Sequence, residues 1–253
     1  MKLYKLLPLI ILCGIFILTG CGGDEVTAPA EPTDAPGWIA RGWAQFKNSD
    51  YEDAVDSFQS AINLGEGDWA DAYSDWLYAI QIGDPELQAE AEARMDLQMG
   101  YIKEGATGIG WCITKDLYIT TWLNPSIGTL AYEGALDIDY GYADAIGGYA
   151  LLLQAIEEWQ QSNTRAAALL GGDDSLWVFP HDRTIDHLDI RLVRAENYYM
   201  LADFEASQME ALGLATRLGY QPEDLVPDFN YNLATIEGRA ALIQLIDELE
   251  EHL

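Results

Sequence analysis

Residues 38–62 read WIARGWAQFKNSDYEDAVDSFQSAI. Trp38, Gly42 and Phe46 recur at four-residue steps and mark one face of an α-helix. Asn48-Ser49-Asp50 interrupts that pattern with residues that favour turns and helix caps. Tyr51, Ala54, Phe58, Ala61 and Ile62 then resume it at three- and four-residue steps. Two helices joined by so short a turn must run antiparallel and share an apolar seam. Gly42 and the alanines mark where the backbones approach, and the larger side chains fill the remaining gaps. The same pattern of apolar stripes, each ended by a Gly, Asp or Pro signal, continues to the C-terminus with no useful strand-like alternation. The predicted class is all-α.

Trp38-x-x-Arg41-Gly42, followed by Ala54-x3-Phe58-x-x-Ala61, resembles the tetratricopeptide repeat, a helix-turn-helix unit of about 34 residues. Arg41 and Gln45 replace that family's Leu and Tyr, and Gly65-Glu66-Gly67 stands in place of its helix-ending Pro. Laid along the chain, the pattern sets Leu77, Gly110, Ala150 and Ala195 opposite Gly42, in steps of 35, 33, 40 and 45 residues. The excess of the last two steps falls at Trp122–Gly128 and Gly171–Thr184. The resemblance implies a right-handed α-solenoid of about five helix pairs over residues 37–231. Residues 232–253 would supply the capping helix, with Leu233, Ile236, Ala240, Ile243, Ile246 and Leu249 on its apolar side, because the end of an array needs one polar face.

In the tetratricopeptide family the residue after the small one, and those three and four further on, line a concave groove. Carried over position by position, this gives Trp43, Phe46 and Lys47, then Tyr78 and Gln81, then Trp111, Thr114 and Lys115. Leu151 and Gln154 follow, and then Glu196, Tyr199 and Met200. The expected partner-binding set is Trp43, Phe46, Lys47, Tyr78, Trp111, Lys115 and Tyr199, an aromatic and locally basic surface for a segment of another protein. The competing reading makes Trp43, Tyr78 and Trp111 plain interhelical core.

The chain carries 13 Lys and Arg against 42 Asp and Glu, a formal net charge of -29. Nucleic-acid backbones and anionic lipid head groups are held by clustered cations, so both are excluded as partners. At the N-terminus, Lys2 and Lys5 precede an apolar run from Leu6 to Leu18, too short for a permanent span. Its end, Leu18-Thr19-Gly20-Cys21, resembles the lipobox of bacterial lipoproteins. That resemblance implies a signal peptide over residues 1–20, lipidation of Cys21 and a flexible tether over residues 21–36 with Pro29, Pro32 and Pro36. It places the protein on the cell envelope, with Gly22 implying the periplasmic face of the outer membrane. Cys112 is then the one remaining thiol, a buried small hydrophobe.

Between Trp177 and Asp189 lie His181, Asp182, Asp186 and His187, residue types that ligate Zn²⁺ or Fe²⁺. His181-Asp182 resembles the doublet of metal-dependent phosphohydrolases, but such sites draw further His and Asp from other helices and the only other histidine is His252. The favoured reading is that Asp182, Thr184 or Asp186 caps the next helix while Trp177 and Phe179 pin a long loop onto the array. No catalytic residue, metal or cofactor is expected. The expected function is an envelope adaptor for other proteins, with a subunit of an envelope assembly or quality-control complex as the alternative and a metal-dependent hydrolase as the rival from another class.

Overall fold

The computed structural model describes residues 31–119, 123–171 and 176–253, so Cys21, the leader and most of the tether lie outside the described residues. Chain contacts separate Met1–Thr33 from Asp34–Leu253, and the latter unit holds all ten described helices.

Three helix-turn-helix junctions are built alike. α1 (Ala35–Lys47) meets α2 (Tyr51–Ile82) where Ser49 is left-handed (φ 64) and Asp50 N donates to Gln45 O at 3.0 Å. α5 (Ala143–Ala155) meets α6 (Trp159–Leu170) with Glu157 at φ 64 and Glu158 N on Leu153 O at 2.8 Å. α7 (His187–Met200) meets α8 (Phe204–Leu218) with Ala202 at φ 59 and Asp203 N on Tyr198 O at 2.9 Å. A left-handed residue other than glycine costs on the order of 1 kcal/mol, which the closing hydrogen bonds to the helix C-terminus offset. At each junction it lies seven residues beyond the small residue, Gly42, Ala150 or Ala195, and the second helix opens on an aromatic ring.

Small residues set the depth of contact. A Cβ on Gly42 would stand 2.7 Å from the Phe58 ring, and one on Gly110 would stand 2.6 Å from Tyr132. Ser162 Oγ donates to Ala150 O at 2.8 Å and Ser207 Oγ to Ala195 O at 2.7 Å, so the two buried hydroxyls are satisfied by the backbone of the neighbouring helix. α3 (Pro85–Ile119) pairs with α4 (Pro125–Ile138), whose first turn is capped by the Asn124 side chain with Pro125 behind it. α1, α3, α5 and α7 also pack side by side, and α10 (Ile236–Glu250) follows α7 after the short α9 (Pro222–Leu225). The result is two helical layers with one isolated antiparallel bridge, Val178–Asp186, among the described residues. No described helix is long and apolar enough to cross a membrane.

The helix ends expected on either side of the second repeat are absent, although its turn, at Gly83-Asp84, falls where the register places it. α2 runs 32 residues straight through Gly65-Glu66-Gly67, and α3 runs 35 residues through Gly110. Gly65 is a contact residue, since a Cβ there would stand 3.1 Å from Ile102 Cγ1; Gly105 and Gly108 answer it from α3, 2.8 Å from Ile62 and 2.5 Å from Phe58. The cost of glycine inside a helix, about 1 kcal/mol, is outweighed by the close packing it permits. Leu77, set opposite Gly42 by the repeat register, is 48% exposed, and the contact positions there are Ala72 and Ala79. The last helix also differs. It starts at Ile236 behind a Thr235 cap, and its buried stripe is Gly238, Leu242, Leu245, Ile246 and Leu249, while Ile236 points to solvent.

Candidate functional site

The segment between α6 and α7 carries Trp177, Phe179 and Ile185, too much apolar surface to leave in water. Its residues 176–186 lie as a strap across α1, α3 and α5. Phe179 N donates to Ile185 O and His187 N to Trp177 O, both at 2.9 Å, and the Asp182 carboxylate accepts from Thr184 N and Oγ1 at the turn. Asp186 and Asp189 close a capping box on α7. Phe179 is fully buried, stacked on Trp111 at 3.9 Å and edge-on to Trp43 and Phe46. Trp177 covers Gly147, where a Cβ would stand 2.6 Å from its ring, and its Nε1 donates to Asp144 Oδ1 at 2.8 Å. His181 lies flat on Trp43, with centroids 3.6 Å apart and planes at 5°.

A polar cluster lies against the strap. Glu104 of α3 accepts from Trp43 Nε1 at 2.9 Å and from Tyr142 OH, and His181 Nε2 lies 3.5 Å away. Burial alone would raise the Glu104 pKa; the hydrogen bonds from His181, Tyr142 and Trp43 outweigh it and hold the carboxyl below its ordinary value. Asp144 shifts the other way, raised by burial against the opposing Trp177 hydrogen bond, with the Glu104 charge adding to the rise. Asp182 is desolvated too, but Lys115 Nζ at 2.8 Å and Thr184 bring it below the ordinary range.

The expected groove residues therefore divide. Trp43, Phe46 and Trp111 were expected to offer rings to a partner; at 6%, 4% and 0% exposure they are buried, and the chain's own strap occupies the surface they face. Lys115 is bound to Asp182. Lys47 is exposed and, with Phe46, Ser49, Tyr51, His181 and Asp182, lines a cavity of about 270 Å³. Thr114 and Leu151 help line a second of about 140 Å³, with Ile185 of the strap and Asp189 of α7. Tyr199 is half-buried against the Phe204 ring. Tyr78 lies on the outer half of α2, 57% exposed, and joins no groove with these residues.

The candidate metal ligands go to separate partners: His181 to Trp43 and Glu104, Asp182 to Lys115, and Asp186 to the α7 cap, with His187 Nδ1 3.8 Å from Asp186. Among the described residues no group of three or more His, Cys, Asp or Glu is placed to hold a metal ion. Cys112 is buried, and burial pushes its thiol pKa far up, which makes it a poor nucleophile.

Uncovered apolar surface lies elsewhere, on the outer halves of α2 and α3. Trp69, Tyr73 and Trp76 stack in a row, with centroids 5.3 and 5.8 Å apart, and Leu77, Tyr78, Ile80, Ile82 and Leu97 are exposed on the same two helices. The repeat register concealed this surface because it took Leu77 for a helix contact; the four-and-three spacing of Trp69, Tyr73, Trp76 and Ile80 was the signal for it. No family model, no curated protein and no solved structure matches the chain.

Proposed function

We propose that the protein is a lipid-anchored adaptor of the bacterial envelope, a tetratricopeptide-like solenoid that binds other proteins and catalyses no reaction. The observation that carries the repeat reading is the recurrence of one junction three times. Gly42, Ala150 and Ala195 are each followed seven residues later by a left-handed residue and twelve residues later by Ala54, Ser162 or Ser207 in the facing helix. That recurrence is what stacked units need, because each unit buries its apolar face on the next. The Cys21 lipobox resemblance supports the anchor, and the carboxylate excess of the chain supports protein partners over nucleic acid.

The test is envelope capture. Wild-type chain and a Cys21→Ser variant are expressed in the source cells, cross-linked and purified. Radiolabelled palmitate should enter only the wild type, which should sediment with membranes and bring down a stoichiometric protein. An unlabelled wild type would sink the anchor, and the absence of any stoichiometric partner would sink the adaptor.

A further inference from the structure

Past Gly65 on α2 and before Ile102 on α3, the buried side chains are Ala72, Ala79 and Ala91 alone. Residues 66–82 rise about 25 Å at the helical 1.5 Å per residue, so a two-helix hairpin extends with only an alanine seam for a core. Its end is firmly closed. Gly83 is left-handed (φ 72), Asp84 N donates to Ala79 O at 3.0 Å, and Asp84 Oδ1 accepts from Glu86 N and Leu87 N. Along one flank Trp69, Tyr73, Trp76 and Ile80 share a helical stripe, and Trp76 is fixed by its Nε1 bond to Glu92 at 2.9 Å. Leu77 and Ile80, at 48% and 47% exposure, continue that stripe into solvent. Residues 66–98 carry nine Asp and Glu and one basic side chain, Arg94, which is already bonded to Asp75.

We propose that this flank is the docking surface for a basic amphipathic helix of a partner protein. Rigid stacked rings provide apolar contact at low entropic cost, and a third helix laid along a hairpin completes a bundle that two helices alone leave half-open. Glu92, bonded to Trp76, and Asp96 one turn further along α3 border the rings and complement Lys and Arg on the rim of the incoming helix, and the net negative charge of the hairpin steers its approach. The same charge disfavours the other occupants: a second copy would bring its own nine carboxylates, and an anionic bilayer would be repelled. This deepens the adaptor reading and rests on it for its biological sense.

The probe is a fluorescent eighteen-residue Leu/Lys peptide of helical period, titrated by anisotropy into the full chain in detergent. Controls are a Leu/Glu peptide and a scrambled Leu/Lys peptide. The Leu77→Ser/Ile80→Ser double variant, checked as helical by circular dichroism, should bind at least tenfold more weakly. Asp96→Lys, one turn beyond Glu92 on the aromatic flank, should weaken binding through charge, and Met209→Ser, an exposed site on α8, should leave it unchanged. Equal affinity in the Leu77/Ile80 variant, or equal binding of the scrambled peptide, overturns the proposal. So does dimerisation in the ultracentrifuge, or co-sedimentation with phosphatidylcholine vesicles, that the double variant abolishes. Failure of peptide binding with envelope capture intact removes the hairpin assignment alone; specific peptide binding without any captured partner supports the hairpin and removes the adaptor.

Discussion

Glu196 and Glu104 are both half-buried carboxyls, and they respond to pH in opposite senses. Glu196 of α7 faces Asp247 and Glu250 of α10, and Gln154 of α5 donates to it. Burial first and the Glu250 charge next raise its pKa from 4.5 to about 7. An acid raised on folding contributes stability that is fully present below its unfolded value and lost as pH rises through its folded one. The melting temperature should therefore fall between pH 5 and 8. Glu196→Gln should flatten that fall and stabilise the protein at pH 8 by up to about 3 kcal/mol, an upper bound because solvent screens part of the effect. A variant with the wild-type slope would count against this. Glu104, held below its ordinary value, works the other way: its contribution is present above the unfolded value and lost as pH falls through the folded one. Glu104→Ala leaves Trp43 Nε1 and Tyr142 OH without their acceptor and should cost about 3 kcal/mol in urea unfolding at pH 7.

Among the elements, α2 is the sharpest lesson in what a sequence conceals. Asn48-Ser49-Asp50 was legible as a turn because capping residues and an interrupted stripe coincide there. Gly65-Glu66-Gly67 read as a stop for the same formal reason, yet the helix continues because Gly65 is a point of close approach rather than a break. Spacing identifies a face and leaves its partner open. The two glycines now separate by substitution. Gly67 has nothing within 4 Å of an added Cβ, so Gly67→Ala should stabilise by about 0.5–1 kcal/mol. Gly65→Ala must push Ile102 aside and should lose that gain, and Gly108→Ala, 2.5 Å from the Phe58 ring, should destabilise by about 1–3 kcal/mol. Thermal denaturation of the three variants checks the order; a destabilised Gly67→Ala would mean the helix breaks there after all. The strap was half legible: Trp177 and Phe179 announced a pinned loop, but nothing in their spacing said that the pin would fill the surface assigned to a partner. Phe179→Ala should cost about 3–5 kcal/mol and make residues 176–186 the first site of limited proteolysis.

At the scale of the molecule, charge was the most legible property and the most consequential. If every one of the 13 Lys and Arg side chains found a carboxylate, 29 of the 42 would still be unneutralised. The folded chain gathers that excess into a smaller volume than the unfolded one, so self-repulsion opposes folding while apolar contact across the helical layers sustains it. Salt screens exposed charges beyond about 10 Å at 0.1 M, which weakens the repulsion and slightly strengthens apolar burial. The melting temperature should accordingly rise as sodium chloride goes from 10 mM to 0.5 M, the reverse of a fold held chiefly by surface ion pairs. Docking of a basic helix on the α2–α3 hairpin draws on the same field as attraction, so its affinity should fall over the same range. Opposite slopes in the two titrations place the carboxylates outside the core and in the interface. A melting temperature that falls with salt would instead assign stabilising work to pairs such as Lys103–Asp139 and Lys115–Asp182.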